Sequence, residues 1–230
     1  MKTCVAQPVD AIVADAEKEL YAQHKLYRKY GKRAFDLLSS AVGLLLLLPV
    51  FLILGIWIFA YDRGPVLYKQ ARIGRGGKPF GVYKFRTMVV NADQIGPLST
   101  GEHDPRITAP GRFLRKTSLD ELPQLWNIFV GDMAVIGPRP ALWNQYDLLA
   151  ERDKYGANDV RPGLTGWAQI HGRDELEIVD KARLDGYYVE HLSFGMDVKC
   201  FFGTIRAVLD HDGVVEGGTG TLHEEENHKK

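Results

Sequence analysis

The sequence predicts an α+β fold that is mostly helical, contains a small β-hairpin, and carries one N-terminal re-entrant (monotopic) membrane helix hairpin. Three observations lead to this class. Residues 37–61 contain no charged side chain, and a run of about 20 such residues is enough to cross a bilayer. Two stretches rich in Val, Tyr, Phe and Ile are separated by glycines, which is typical of a hairpin. Helical spacing of apolar residues returns in the second half of the chain.

The composition is that of an ordinary globular protein. The chain has 230 residues, of which 45% are hydrophobic and 25% charged. These values exclude the disordered, collagenous and disulfide-rich classes and predict one core with an appendage. The two cysteines, Cys4 and Cys200, form no Cys-x-x-Cys pair. We therefore expect a reducing compartment and no zinc site.

The charges are segregated along the chain, although 29 Lys and Arg balance 29 Asp and Glu. Basic residues without any acid occupy 24–33 and 63–91, on either side of the uncharged run, and acids dominate the end of the chain. The neutral total therefore does not exclude an anionic partner.

The uncharged run predicts a membrane segment that stays in the mature protein, because it starts too late and runs too long for a cleaved signal peptide. Pro49 lies at its middle and predicts a kink, since proline removes a helical hydrogen bond. A hairpin that enters one leaflet and returns would keep both basic flanks at the cytoplasmic surface, and we favour it. The alternatives are a single-pass anchor with a proline kink and, less favoured, a buried core helix.

The chain divides into four segments. Residues 1–33 are an N-terminal extension expected to be helical, and residues 34–62 are the membrane-embedded re-entrant helix. Residues 63–212 form a cytosolic domain that carries the chemistry, and residues 213–230 are expected to be a flexible tail.

Within these segments the pattern predicts each element in order. A helix is expected over 9–30, strands over 66–73 and 80–88, a loop over 91–111, and helices over 119–130, 142–153, 175–192 and 194–209. The sequence Gly-Arg-Gly-Gly-Lys-Pro between the strands lacks the spacing of a phosphate-binding loop. We interpret it as a hairpin turn.

An acidic pair is the most suggestive candidate for chemistry. In residues 115–127, Arg-Lys-Thr-Ser-Leu-Asp-Glu-Leu-Pro-Gln-Leu-Trp-Asn, the carboxylates of Asp120 and Glu121 follow two cations. Ser118 and Glu121 also fit the capping box Ser-x-x-Glu, with Asp120 suited to the positive helix end. This motif alone favours capping over catalysis. Gly-Pro-Arg-Pro and Arg-Pro-Gly-Leu-Thr-Gly-Trp-Ala-Gln shift the balance, because rigid loops hold arginines where they can grip a diphosphate.

Four motifs, in this order, resemble those of the bacterial sugar transferase family, the monotopic polyprenyl-phosphate phosphoglycosyl transferases. They are Lys-Phe-Arg-Thr-Met at 84–88, Lys-Thr-Ser-Leu-Asp-Glu-Leu-Pro-Gln-Leu-Trp-Asn at 116–127, Gly-Asp-Met-Ala-Val-Ile-Gly-Pro-Arg-Pro at 131–140, and Arg-Pro-Gly-Leu-Thr-Gly-Trp-Ala-Gln-Ile-His-Gly-Arg at 161–173. The resemblance covers most of the chain and is to the short form of the family. One departure is Leu48, at the position before the proline where family members often have a serine.

The resemblance implies transfer of a sugar phosphate from a nucleotide diphosphate sugar, by default a UDP sugar, to polyprenyl (undecaprenyl) phosphate, with release of UMP. By similarity, Asp120 is the nucleophile that forms a covalent aspartyl-phosphosugar intermediate, and Glu121 assists it. Both are expected to bind Mg²⁺, which would reduce the repulsion between a carboxylate and a diphosphate. The reaction would be the first membrane step in making a capsule, exopolysaccharide or glycoprotein glycan.

The resemblance also implies residues that contact the substrate phosphates. They are Arg115 and Arg139, then Arg72, Arg86, Arg161, Arg173 and Asp185. Each arginine also fits a role as a surface cation. Asp185 also fits an internal salt bridge. The expected partners are the two substrates and membrane lipid, with a homodimer left open and no nucleic acid. The expected location is the bacterial inner (cytoplasmic) membrane, with the catalytic domain facing the cytoplasm. A non-catalytic membrane-anchored module that binds anionic lipid or scaffolds a glycan assembly complex is the alternative.

Overall fold

The computed structural model describes residues 25–96, 104–172 and 176–209. The predictions for residues 1–24, for the tail over 213–230 and for Arg173 lie outside the described residues. In the described part of the chain, the mixed class with mostly helical elements and a small antiparallel sheet is confirmed.

Helices make up most of the described chain. They are α1 (Lys32–Leu46), α2 (Leu48–Asp62), α3 (Ala92–Ile95), α4 (Ala109–Lys116), α5 (Gln124–Val130), α6 (Tyr146–Asp153), α7 (Ile178–Glu190) and α8 (Phe194–Leu209). The strands are β1 (Leu67–Ile73), β2 (Pro79–Phe85), β3 (Ala134–Ile136), β4 (Ala141–Leu142) and β5 (Gly163–Thr165). A π-helical turn, Tyr27–Gly31, leads into α1, and 3₁₀ turns occupy Arg75–Gly77, Leu119–Glu121 and Gln169–His171.

The predicted hairpin is confirmed as β1 and β2, which pair antiparallel from Leu67 opposite Phe85 to Ile73 opposite Pro79. Its connection is a turn in which Gly76 has φ of 67° and Gly77 φ of 73°, a conformation that glycine adopts without strain. The short strand β4 pairs with the other edge of β1, giving the order β2-β1-β4. A separate parallel pair joins β3 to β5, and the sequence patterns did not predict it.

Several predicted boundaries are wrong for local reasons. The predicted loop 91–111 contains α3 and the start of α4, where the Thr108 hydroxyl accepts a hydrogen bond from Gly111 N at 3.0 Å and caps the helix. The predicted helix 119–130 is a 3₁₀ turn followed by α5. The predicted helix 142–153 begins only at Tyr146, because Leu142 belongs to β4 and a turn follows it, in which Gln145 N donates to Leu142 O at 3.1 Å. The predicted helix 175–192 is Ile178–Glu190 in the described residues, whereas Phe194–Leu209 matches its prediction.

The uncharged run forms two helices that meet at an angle. The stretch Tyr27–Leu46 and α2 are bent by 60° relative to each other. The break between the two helices falls at Leu47, and Pro49 lies in the first turn of α2. Backbone N–H groups in a first turn have no partner within the helix, so the proline costs no helical hydrogen bond there. In the described residues, each helix alone is too short or too polar to cross a bilayer, and only the bent pair taken together meets that requirement.

The bent pair exposes a large apolar surface. Leu45 is 73% exposed, Ile56 is 69% exposed, and Leu38 and Ile53 are each 66% exposed. Contiguous apolar surface of this kind is rare on proteins that contact only water. The alternative of a buried core helix is therefore wrong.

The start of α1 and the later part of α2 both pack against the rest of the described chain. At the start of α1, Lys32, Asp36 and Ser40 are buried, and α1 packs against α5 and β3. On the returning helix, Leu54 and Ile58 join a core cluster with residues of β2 and α4. The chain therefore enters and leaves the apolar segment on one side of the molecule.

Candidate active site

The acidic pair lies on a short turn that packs directly against the apolar helix α2. Helix α4 ends at Lys116, and the chain then turns through Leu119–Glu121 into α5. Leu119 and Leu122 flank the two acids and pack against the cluster that contains Leu54 and Ile58. The apolar side chains of the motif thus fix the two carboxylates at the base of the bent helix pair.

The capping interpretation of this motif is wrong. Ser118 adopts a left-handed conformation with φ of 55°, and its side chain makes no capping hydrogen bond. A non-glycine residue in this region is uncommon and is found more often where function constrains the backbone. The geometry therefore removes the capping alternative, and the catalytic role of the two acids stays a prediction.

Two cations face the two carboxylates. Lys84 Nζ lies 3.0 Å from Glu121 Oε1 and 3.8 Å from Asp120 Oδ2. Arg139 donates from Nη2 to Glu121 Oε1 at 2.8 Å and from Nη1 to Oε2 at 3.4 Å. Asp120 is buried at 3% exposure. The result is a compact cluster of two acids and two bases contributed by β2, the acidic turn and the loop after β3.

The charges in this cluster keep Glu121 ionised. Burial by itself raises the pKa of Glu121, but the positive charges of Arg139 and Lys84 and their hydrogen bonds outweigh it and hold the pKa well below its ordinary value. A permanently ionised glutamate suits a role in binding cations or orienting them, and does not suit proton transfer near neutral pH.

Arg139 is held in place through its own backbone and that of its neighbour. Arg152 Nη1 donates to Arg139 O at 2.9 Å, and Arg72 Nη1 donates to Pro140 O at 3.1 Å. Arg152 in turn forms a buried ion pair with Asp185 Oδ2, at 2.8 Å from Nε and 2.6 Å from Nη2. Of the two roles open for Asp185, the structure supports the internal salt bridge.

The glycines around this loop are needed for close approach. Gly137 N donates to Thr165 O at 2.8 Å, and a Cβ at Gly163 would lie 2.1 Å from Gly137 N. A side chain there would push β5 away from the loop that carries Arg139. Part of the Arg-Pro-Gly-Leu-Thr-Gly motif is therefore explained by backbone packing behind the site.

The structure distributes the remaining predicted arginines over different places. Arg115 Nε donates to Thr87 Oγ1 at 2.9 Å, and Arg86 pairs with Asp62 at the end of α2 at 3.0 Å. Arg161 Nε donates to Gly131 O at 2.9 Å. Asp120, Glu121 and Arg139 are thus brought together, and Arg72 contacts the backbone of Pro140 next to Arg139. The phosphate contacts expected of Arg72, Arg86, Arg115 and Arg161 stay predictions.

Sequence reasoning missed two residues of this arrangement, Lys84 and Arg152. Lys84 is the first residue of the Lys-Phe-Arg-Thr-Met motif, and that motif was the available signal. Arg152 lies on α6 in an ordinary amphipathic pattern, so only the tertiary structure reveals its pairing with Asp185.

The donor set of the acidic turn fits a hard divalent cation that keeps part of its water shell. In the described ranges no group of three or more His, Cys, Asp or Glu side chains is placed to enclose a metal ion. Mg²⁺ is commonly held by one or two carboxylates together with substrate phosphates and waters. Asp120 and Glu121 supply two adjacent carboxylates of this kind.

Comparison with known proteins shows the family to which the chain belongs. The profile of the family described as bacterial sugar transferase matches residues 27–211. The chain is 43% identical over 184 residues to the sugar transferase EpsL of Bacillus subtilis, covering 80% of this chain and 89% of that protein. It is 36% identical over 200 residues to the undecaprenyl-phosphate galactose phosphotransferase of Salmonella typhimurium, covering 80% of this chain and 42% of that protein.

A third relative is the UDP-glucose:undecaprenyl-phosphate glucose-1-phosphate transferase of Escherichia coli, 41% identical over 183 residues that cover 76% of this chain and 39% of that protein. The chain thus spans less than half of the two enterobacterial relatives and most of the Bacillus one. The chain belongs to the bacterial sugar transferase family.

Proposed function

We propose that this protein is a phosphoglycosyl transferase that moves a sugar 1-phosphate from a UDP sugar to undecaprenyl phosphate and releases UMP. The observation that carries the proposal is the cluster of Asp120, Glu121, Lys84 and Arg139 at the base of an exposed apolar helix pair. The names of the Salmonella and Escherichia relatives support this substrate class. The product would be the first lipid-linked intermediate of an exopolysaccharide, capsule or glycoprotein glycan.

The proposed chemistry has two steps that share one carboxylate. An oxygen of Asp120 attacks the phosphorus that bears the sugar, and the bond from this phosphorus to the oxygen of the leaving UMP breaks. An oxygen of undecaprenyl phosphate then attacks the same phosphorus, and the bond to Asp120 breaks. The carboxylate is regenerated, and the sugar phosphate is left on the lipid as a diphosphate.

The neighbouring cations make this attack feasible. A carboxylate that approaches a diphosphate meets negative charge, and Lys84 and Arg139 offset that charge from fixed positions. Glu121 holds both cations beside Asp120, so they need not reorganise as the bond forms. A Mg²⁺ ion bound by Asp120 and Glu121 would supply further neutralisation of the diphosphate oxygens.

The bent helix pair is proposed to enter the cytoplasmic leaflet and return. The uncharged part of α1, residues 37–46, spans about 15 Å at about 1.5 Å per residue, half of a hydrocarbon core of about 30 Å. A re-entrant hairpin of this depth would place Asp120 at the level of the lipid phosphate. The protein would then lie in the bacterial inner membrane with its catalytic domain in the cytoplasm, where the nucleotide sugar is available.

Two carboxylate variants test the reaction. We expect Asp120→Asn to lower UMP release from UDP sugars in the presence of undecaprenyl phosphate by about a thousandfold, because the nucleophile is lost. Glu121→Gln should lower it by about a hundredfold, because the cations lose their anchor. The exposed Asp180 on α7 provides the matched control Asp180→Asn. Full UMP release by both site variants would contradict the proposal.

The covalent step has its own test. Mass spectrometry of the wild type after incubation with the donor alone should show a sugar-phosphate adduct on Asp120. If UMP release is normal and no adduct forms, the acceptor attacks the donor directly.

A further inference from the structure

A second cationic cavity lies away from the acidic cluster. It has a volume of about 150 Å³ and lies between the base of α1, the turn that joins β1 to β2, and the segment before β5. Its charged lining consists of Arg28, Lys32, Asp36, Arg75, Asp159 and Arg161. No residue of the cluster formed by Asp120, Glu121, Lys84 and Arg139 lines it in the described chain.

The β-hairpin separates the two places. Arg75 lies in the hairpin turn, whereas Lys84 pairs with Tyr68 near the other end of the strands. Lys84 follows Pro79 by five positions along β2, and at about 3.3 Å per position this puts the turn about 17 Å from Lys84. One phosphate group therefore cannot contact both Lys84 and Arg75.

Two arginines of the cavity keep most of their donors for a ligand. Arg75 Nε donates to Asp159 O at 2.9 Å, and Arg161 Nε donates to Gly131 O at 2.9 Å. Their Nη groups make no hydrogen bond or ion pair with any residue in the ranges that the structure describes. A guanidinium carries five N–H donors in a planar fork, so each arginine retains its Nη donors.

Like charge accumulates on this side of the cavity. Burial lowers the pKa of Arg161, and the charges of Arg33 and Arg75 lower it further, with Asp36 acting in the opposite direction. The Nη groups of Arg33 donate to two backbone carbonyls of α5 and not to a carboxylate, so the positive charge of Arg33 is not neutralised there. The repulsion between these arginines destabilises the folded protein, and a bound anion would relieve it.

One of the two acids of the cavity, Asp36, lies against Lys32. Its Nζ lies 3.6 Å from Asp36 Oδ1 and 2.9 Å from Asp197 Oδ2. Asp36 Oδ1 also accepts a hydrogen bond from Val135 N at 2.9 Å, while Asp36 Oδ2 accepts none from the described residues. The negative charge of Asp36 is thus matched by Lys32, and Asp159 is the one acid in the described lining that remains against Arg28, Arg75 and Arg161.

We propose that this cavity binds a phosphate group between Arg75 and Arg161, at a site separate from that of the transferred sugar phosphate. Paired guanidinium groups bind phosphate oxygens in bidentate geometry. The volume accommodates one phosphate and several waters, since a water occupies about 30 Å³ of liquid. The phosphate comes either from an anionic lipid headgroup, because the cavity lies at the base of the apolar helix pair, or from a soluble phosphate compound.

Thermal unfolding of the full chain in phosphatidylcholine nanodiscs tests the site with inorganic phosphate as the probe. All variants carry Arg139→Gln, which weakens phosphate binding at the acidic cluster. Phosphate should raise the unfolding temperature relative to chloride at equal ionic strength. Adding Arg75→Gln and Arg161→Gln should weaken the apparent affinity by at least about tenfold, whereas the exposed control Arg183→Gln should not. An equal phosphate effect with and without Arg75 and Arg161 overturns the proposal.

Folding of the variant is checked in the same measurement. The unfolding temperature without phosphate shows whether the double variant folds, because the replacement removes repelling charges but also the hydrogen bonds to Asp159 O and Gly131 O. If the double variant does not fold, the exposed Arg75→Gln replacement alone is tested, and it should still weaken phosphate binding at least threefold. Unchanged binding by that variant overturns the proposal.

Nanodiscs of phosphatidylglycerol distinguish the two sources of phosphate. If the site holds a lipid headgroup, these nanodiscs alone raise the unfolding temperature in a manner that requires Arg75 and Arg161, and added phosphate has no further effect. If the site holds a soluble compound, inorganic phosphate acts equally in both lipids. The absence of any effect that depends on Arg75 and Arg161, with either probe, overturns the site.

Discussion

At the scale of single residues, Arg139 and Lys84 set the charge and the position of Glu121. Arg139 contacts both oxygens of the carboxylate, at 2.8 Å and 3.4 Å, so Arg139→Gln removes a fixed positive charge from the cluster. We expect UMP release to fall by about a hundredfold. Arg139→Lys should recover only part of this loss, because an ammonium group cannot reproduce a bidentate contact. Equal activity of the lysine variant and the wild type would exclude the bidentate role.

Glu121 also predicts how stability changes with pH. Because its folded-state pKa is depressed, the carboxylate stabilises the fold above its unfolded pKa of about 4.3, and this stabilisation is lost as the pH falls through the lower folded value. The difference in unfolding free energy between wild type and Glu121→Gln should therefore stay constant from about pH 7 to about pH 5 and shrink as the pH falls from about 4.3 to about 3. Denaturant titrations across this range measure it.

A matched control for the pH experiment is Glu190→Gln, the same chemical change at an exposed position of α7. Its difference from the wild type should stay nearly constant over the same range. A pH-independent difference for Glu121→Gln would show that Arg139 and Lys84 do not stabilise the ionised carboxylate.

The residues of the site illustrate what a sequence pattern can and cannot reveal. Asp120 and Glu121 were identified because four motifs in order resemble those of one family, whereas their own motif taken alone favoured a capping box. Only the left-handed backbone of Ser118 excludes the cap. Lys84 lies 37 positions from Glu121 in sequence, and no local pattern specifies such a contact, because it depends on how β2 packs against the acidic turn.

At the scale of elements, the ion pair between Arg152 on α6 and Asp185 on α7 joins two helices and supports the loop of Arg139. Burial raises the pKa of Asp185, and Arg152 opposes this effect. Asp185→Ala leaves Arg152 charged and buried, so we expect a loss of about 3–5 kcal/mol in unfolding free energy. Denaturant unfolding in detergent measures it.

A double replacement separates stability from positioning. Arg152→Met combined with Asp185→Leu should restore most of the unfolding free energy, because no buried charge is left unpaired. UMP release should stay low, because the hydrogen bond to Arg139 O is missing in this variant. A double variant that is as unstable as Asp185→Ala, or one that is fully active, would contradict this account.

Elements with local signals were predicted well and those that depend on distant partners were not. The hairpin turn was predictable because Gly76 and Gly77 supply the positive φ values that it needs. The strands β3 and β5 contain three residues each and pair across 29 positions, from Ala134 to Gly163. Strands of that length show no periodicity, and their pairing arises from the close approach of two backbones.

At the scale of the whole molecule, the two flanks of the apolar segment meet on one body. Arg28, before α1, and Arg75, after α2, line the same cavity. Lys32 pairs with Asp197 on α8, while Asp62 pairs with Arg86 after β2. These contacts support the re-entrant topology proposed above over a single-pass anchor, which would put its flanks on opposite sides of the bilayer.

Cysteine labelling tests this topology in cells. Lys29→Cys and Lys78→Cys put single thiols at exposed positions on either side of the apolar segment, in a background that carries Cys4→Ser. Cys200 can stay, because it is fully buried and burial raises the pKa of its thiol to about 12. A membrane-impermeant maleimide should label neither introduced thiol in intact spheroplasts and both after the cells are opened. Labelling of one of them in intact spheroplasts would show that the segment spans the bilayer, and the acidic cluster would then need a different route to its lipid substrate.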